Sequence, residues 1–197
     1  MSGGRPSGGR LSVRARLLVA ADELLFVEGN PAVSVDEVLR RAAASPPSLY
    51  THFGSKAGLL AAALRRRMGE WLGIWDDALA AATTPQERAL AVFDALRRYE
   101  QVHPEERWCA FTASAITAPW STPVLREVLE AEEGALTERV ASAAAEVVGA
   151  GPERDLLAAG LLVAYHGTLA YMLQVPHEEA IDRGEAVARM LVEQVTA

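Results

Sequence analysis

Few side chains in this chain are placed to make or break bonds. The four histidines, His52, His103, His166 and His177, fall on separate predicted helices or helix ends, and none shares a metal-ligand spacing with Cys109 or a carboxylate. Cys109 has no nucleophile signature around it, and the chain has no glycine-rich phosphate loop. Glu130, Glu132 and Glu133 read as one solvated helix face. No metal, cofactor or catalytic centre is therefore expected. The chemistry these residues do support is contact, concentrated in residues 34–56. Ser34 and Glu37 have the spacing of a capping box, which starts a helix at Val35 and leaves a hydroxyl at a helix tip that also attracts phosphate. Ser45 stands as N-cap of a second helix, with Pro46 at its first position and Gly54 ending it. So short a helix buries too little to be present for stability alone. Its exposed N-terminal end fits the second helix of a helix-turn-helix, which enters the DNA major groove.

Hydrophobic periodicity supplies the elements that must position these groups. Residues 13–28 form an amphipathic helix through Leu17, Ala20, Ala21 and Leu24, closed by Gly29. Val35, Val38, Leu39 and Ala42 give the next helix one apolar face. Over residues 56–82, Leu60, Leu64, Met68, Trp71, Trp75 and Leu79 share a face. Helices then follow over 84–103, over 105–118 with Trp108, Phe111 and Ala115 aligned, from 122 to 148, from 152 to 175, and over 177–195. No run alternates with the period of a strand. The expected class is all-α, with nine helices.

The segment resembles the DNA-binding domain of the TetR family of transcriptional regulators. The matching residues are Arg14, Leu17-Leu18-Val19-Ala20-Ala21, Leu24, Phe26, Gly29, Ser34-Val35-Asp36-Glu37-Val38, Ala42, Ser45, Leu49-Tyr50-Thr51-His52-Phe53-Gly54-Ser55-Lys56 and Leu59-Leu60. The resemblance implies a flexible basic arm over 1–11 and a helix-turn-helix head over 12–60, with the motif itself at about 34–53. A helical ligand-binding and dimerisation body over 61–197 would follow. It also implies that Tyr50 and Lys56 contact phosphates, within a DNA-binding set of Arg14, Ser34, Ser45, Pro46, Pro47, Ser48, Leu49, Tyr50, His52 and Lys56. Leu49 packs the head or touches a base, and His52 faces the backbone or the head's core. Two residues depart from the family pattern. Ala43 stands where the turn usually carries Gly, which costs about 1–2 kcal/mol if the position is left-handed. Pro47 beside Pro46 removes a second N–H from the helix tip.

No Arg, Asn or Gln lies between Ser45 and His52, so the usual bidentate readers of guanine and adenine are absent there. Specificity is expected from thymine methyl contacts, from DNA shape, and from Arg5, Arg10, Arg14, Arg40 and Arg41. Charge distribution supports a nucleic-acid partner although the net charge of the chain is −7. Residues 1–67 hold ten Lys/Arg against five Asp/Glu, whereas 68–197 hold nine against twenty-one. A basic head on an acidic body is what phosphate binding needs. With 197 residues, half of them apolar, the chain can bury a core in one or two small domains. The lone Cys109 and the lack of a visible secretory leader fit a cytoplasmic protein.

Residues 156–175 carry no charge, a length that could cross a bilayer. Against a span, the stretch holds His166, Thr168 and Gln174 and is flanked by acids rather than bases. A helix buried on all sides is the better reading, and no membrane partner is expected. Gly160, Ala164, Gly167 and Ala170 would allow a close helix approach, and a second copy of the chain would cover one face. The family resemblance makes this, with Val187 and Leu191 of the last helix, the interface of a homodimer. Trp71, Trp75, Phe93, Tyr99, Trp108, Phe111 and Trp120, with Tyr165, His166 and Met172 opposite, read singly as core residues. Together they form an aromatic pocket with one polar handle. The expected function is a ligand-responsive regulator, a repressor that binds an inverted-repeat operator in double-stranded DNA as a dimer and is released by a small, largely apolar inducer. The alternative is a dimeric helical interaction protein whose helix-turn-helix no longer binds DNA.

Overall fold

The structure, a computed structural model, describes residues 11–30, 32–106 and 122–196. Among these residues there are eight α-helices and no strand. They are α1 (Val13–Asp22), α2 (Val35–Ala42), α3 (Pro46–Phe53), α4 (Lys56–Ala81), α5 (Pro85–Val102), α6 (Pro123–Val148), α7 (Pro152–Tyr171) and α8 (His177–Thr196). The short helix expected over 105–118, with Trp108, Phe111 and the nearby Trp120, lies outside the described residues.

Four of the eight helices start on a side-chain cap. The hydroxyls of Ser12, Ser34, Ser55 and Thr84 each accept a backbone N–H from the residue three positions on. The ends follow tertiary needs. α1 does not run on to residue 28: from Glu23 to Val27 it widens into a π-helical turn. That turn buries three successive apolar residues, Leu24, Leu25 and Phe26, which α-helical steps would spread around the axis. α7 stops at Tyr171 and not at 175, its last turn tightening ahead of Pro176 through Gln174 N–H to Tyr171 C=O at 2.9 Å.

The core divides into two clusters. One joins α1–α3 and the first part of α4 to Leu125, Val128 and Leu129 at the start of α6. The other holds Trp71, Trp75, Phe93, Leu136, Leu161, Tyr165 and Ile181. α4 and α6 run through both and lie parallel, as ion pairs Arg65–Glu127 (3.4 Å) and Asp76–Arg139 (3.0 Å) show. At the seam the buried Arg67 guanidinium lies 4.5 Å over the Phe26 ring and 2.8 Å from Glu106. Beside it a cavity of about 330 Å³ is lined by Asp22, Arg66, His103 and Glu106, among others. Burial pushes the Asp22 carboxyl up to about 6, against the pull of Arg66 and Arg67. Among the described residues no helix is long and apolar enough to cross a membrane.

Candidate nucleic-acid interface

The turn between α2 and α3 decides how α3 is presented. Ala43 closes α2 at φ 45°, ψ 51°, left-handed, the one described non-glycine residue with positive φ. Its N–H reaches Arg40 C=O at 3.3 Å and that of Ala44 reaches Leu39 C=O at 3.0 Å, a complete Schellman closure with alanine where glycine is easier. Arg16 of α1 locks this closure, its Nε donating to Ala42 C=O at 2.8 Å and its Nη2 to Ala43 C=O at 3.1 Å. Those bonds place a cation on the carbonyl end of α2 and use acceptors that the helix cannot satisfy itself. Arg16 is absent from the set expected from sequence, because its partners are backbone carbonyls far along the chain. At the far end of α3, a Cβ on Gly58 would stand 2.1 Å from Phe53 C=O, so only glycine lets α4 start this close beneath α3.

The tip of α3 differs from expectation. Ser45 occupies the N-cap position, yet its hydroxyl caps no backbone N–H and instead meets Ser48 Oγ at 3.0 Å. Ser48, three positions on, gives its N–H to Ser45 C=O at 3.0 Å, and Pro46 and Pro47, at the first two helical positions, have no N–H to offer. The tip therefore shows a pair of hydroxyls and two pyrrolidine rings. Ser34 caps Glu37 N–H at 3.1 Å, but the reciprocal half of its capping box is missing. Glu37 turns instead to Arg40 at 2.6 Å and Arg41 at 3.2 Å, and the hydrogen bond from Arg40 holds its carboxyl below the usual range.

Ser34, Ser45, Pro46, Pro47, Tyr50 and His52 are exposed, Tyr50 by 54 %, while Ser48 and Lys56 are half-buried. Leu49 is the correction: at 0 % exposure it belongs to the head's core, packed under α3, and reaches no base. His52 faces outward, with its ring edge-on to Phe53 at 6.3 Å. The Arg14 guanidinium sits 5.3 Å over the Phe53 ring, which holds a cation on the same side of the head. Arg41 is spent within the head, in ion pairs with Glu28 (2.5 Å) and Glu37, and Arg40 is exposed. Arg5 and Arg10 lie outside the described residues.

A second feature lies on α7 and α8. Gly160, Ala164, Gly167, Val187 and Leu191 line an open groove of about 700 Å³ that is almost wholly apolar. Gly160 and Gly184 serve this chain's own packing, since a Cβ there would meet Leu191 Cδ1 at 2.8 Å and Thr168 Oγ1 at still closer range. Gly167, Ala170 and Val187 are exposed, as are Leu156, Val163 and Met190 on the same two helices.

Of the expected aromatic set, Trp71, Trp75 and Phe93 are buried together, with Tyr165 stacked on Trp71 at 6.1 Å and Met172 packed alongside. His166 is not in that cluster. It is exposed, and its Nε2 lies 3.9 Å from Glu133. Glu130 and Glu133 are exposed, as a solvated face requires, whereas Glu132 is half-buried and desolvation pushes its carboxyl up to about 7. Among the described residues no three His, Cys, Asp or Glu side chains converge as a metal ion would need.

Comparison with known proteins adds a pattern. Residues 17–63 match the family model described as bacterial regulatory proteins, tetR family. The HTH-type transcriptional activator FasR of Mycolicibacterium smegmatis is 30 % identical over 190 residues, covering 94 % of this chain and 84 % of its own. The HTH-type transcriptional regulator BetI of Rhizobium meliloti is 38 % identical over 116 residues, and that match spans 56 % of each chain. Among solved structures, a TetR-family transcriptional regulator from Streptomyces coelicolor superposes with a TM-score of 0.82 at 22 % identity, over 94 % of this chain and 96 % of that one.

Proposed function

We propose, from the premise that this chain belongs to the TetR family of bacterial regulatory proteins, that it is a dimeric regulator that represses by occupying an inverted-repeat operator and leaves it when a small molecule binds the body. Residues 12–60 act as the reading head and 61–197 as the ligand-binding and dimerisation body, in the cytoplasm. The observation that carries this reading is the build of α3. Arg16 and the Ala43 closure fix its near end, Gly58 lets α4 buttress its far end, and its exposed side offers hydroxyls, Tyr50 and His52 but little that packs. A helix held this firmly, whose core face is only Leu49 and the half-buried Phe53, is a presenting device.

Tyr50 and Lys56 would position the head on phosphates, while the prolines, Ser45 and Ser48 meet base edges through thymine methyls and shape. The apolar groove of α7 and α8 would pair with its mate, setting two heads at the spacing of two half-sites. A ligand that prefers a different head spacing then lowers operator affinity by population shift. The test is selection of bound duplexes from a random pool by the purified protein. Enrichment of an inverted repeat is the expected result. No enrichment at low salt from a folded dimer would leave the interaction-protein reading, with the left-handed Ala43 and paired prolines as the damaged parts of its motif.

A further inference from the structure

The turn that presents α3 contains three residues, each of which alone would weaken it. Ala43 is left-handed without being glycine, and Pro46 and Pro47 remove the first two N–H groups of the helix that follows. The prolines also affect the end of α2. They stand four residues on from Ala42 and Ala43, where a continuing chain would offer an N–H to each of those carbonyls. Among the described residues no turn or loop N–H reaches either one. Ala42 is 2 % exposed, so solvent is a poor substitute for the missing donor.

Arg16 supplies those donors from α1. Its Nε donates to Ala42 C=O at 2.8 Å, its Nη2 to Ala43 C=O at 3.1 Å and its Nη1 to Leu11 C=O at 3.1 Å. Each nitrogen of the guanidinium is thus used on a backbone carbonyl, in a planar fork that spans two segments of chain. Arg14, two residues earlier and nearly on the opposite side of α1, is exposed and lies over Phe53. Charge alone would mark both arginines as phosphate contacts, and their bonding separates them.

We propose that Arg16 is a positioning residue of the reading head, one that sets α3 by holding Ala43 left-handed and makes no contact with DNA. This rests on the operator-binding reading above and goes beyond it by joining Arg16, Ala43, Pro46 and Pro47 into one unit. Residues that look like damage to the motif are tolerated because a cation on α1 replaces the donors they took away. Two consequences separate this role from a phosphate contact. Arg16→Lys keeps the charge but loses the fork, so it does not stand in for arginine. Ala43→Gly is left-handed without restraint, so it makes the clamp dispensable.

The test compares Arg16→Lys, Arg16→Met, Ala43→Gly and the double variant Arg16→Met, Ala43→Gly with wild type, in two measurements on the full chain. Without DNA, exchange of the Ala44 amide, whose N–H closes the turn on Leu39 C=O, should quicken at least about tenfold in Arg16→Met and Arg16→Lys. The amides of Leu136 and Leu161, in the core of the body, should keep their wild-type rates. In the double variant the Ala44 rate should return to within about threefold of that in Ala43→Gly alone. On a duplex selected from the random pool, both single Arg16 variants should lose at least about tenfold in affinity at an unchanged salt slope, and the double variant should recover it. A phosphate contact gives the opposite pattern: Arg16→Lys binds as wild type, the salt slope of Arg16→Met falls by about one, and Ala43→Gly rescues nothing. That pattern, an unmoved Ala44 amide, core amides that quicken in step with it, or operator affinity that survives both Arg16 variants would each overturn the proposal. The exchange measurement needs no DNA, so it decides the role of Arg16 even where selection recovers no repeat, and failure of the clamp leaves the selection standing.

Discussion

Ala43 concentrates the tension between sequence and function at a single residue. Its left-handed backbone costs about 1–2 kcal/mol, partly offset because alanine restricts the unfolded chain more than glycine does, by about 0.5–1 kcal/mol. Ala43→Gly should therefore stabilise the protein by about 0.5–1 kcal/mol and raise Tm by about 1–4 °C. A thermal scan decides it, and a lower Tm would show that the position carries no strain. The strain at Ala43 was flagged through the family resemblance, whose turn usually carries Gly there, and the left-handed backbone itself emerged with the fold. The Arg16 clamp was not legible, since nothing local marks an arginine whose acceptors are the carbonyls of Ala42 and Ala43. Leu49 was left open between core and base, and Glu132 was misread, for a related reason. On a short helix, or midway along a long one, one turn of periodicity does not say which side the rest of the chain will cover.

Elements declare their beginnings locally and their ends through their surroundings, and α1 shows what the second part means physically. A hydroxyl at Ser12 starts it, but Asp22 and the π-helical turn after it are shaped by burial against α4. Asp22 is buried beside Arg66, and its carboxyl is nevertheless pushed up to about 6 from 3.8, so desolvation outweighs the ion pair. Between these two values the folded chain holds a proton that the unfolded chain has lost. Stability therefore falls as pH rises through that window, by an amount on the order of 2–3 kcal/mol for this one group. Asp22→Asn should remove that loss: the variant should melt above wild type at pH 8, by a margin that shrinks towards pH 4. Paired melting curves across this range isolate Asp22 from Glu132, which both proteins share. A variant that melts lower at pH 8 would mean that the ion pair with Arg66 outweighs desolvation.

At the scale of the whole molecule, two heads can read an inverted repeat only if something fixes their separation, and the single chain leaves one surface unfinished in a way that would do so. Leu156, Val163, Val187 and Met190 stand exposed around the groove of α7 and α8, a contiguous apolar face on helices whose opposite sides complete the core. The sequence announced this face through an uncharged stretch that one chain could not bury, although the use of Gly160 and Gly184 for packing within the chain emerged only with the fold. Val163 and Met190 are 72 % and 68 % exposed, so placing a carboxylate on each leaves the core of a single chain intact while burying two charges in any pairing across this face. The double variant Val163→Glu, Met190→Glu should keep its helical signal and sediment at the 21.1 kDa of one chain. Its affinity for a selected inverted repeat should drop by about 10²–10⁴-fold, because the second head no longer binds at the effective concentration its mate provides. Should the double variant still sediment as a dimer with unchanged operator affinity, the two heads must be joined through another surface, and the groove would have a different occupant.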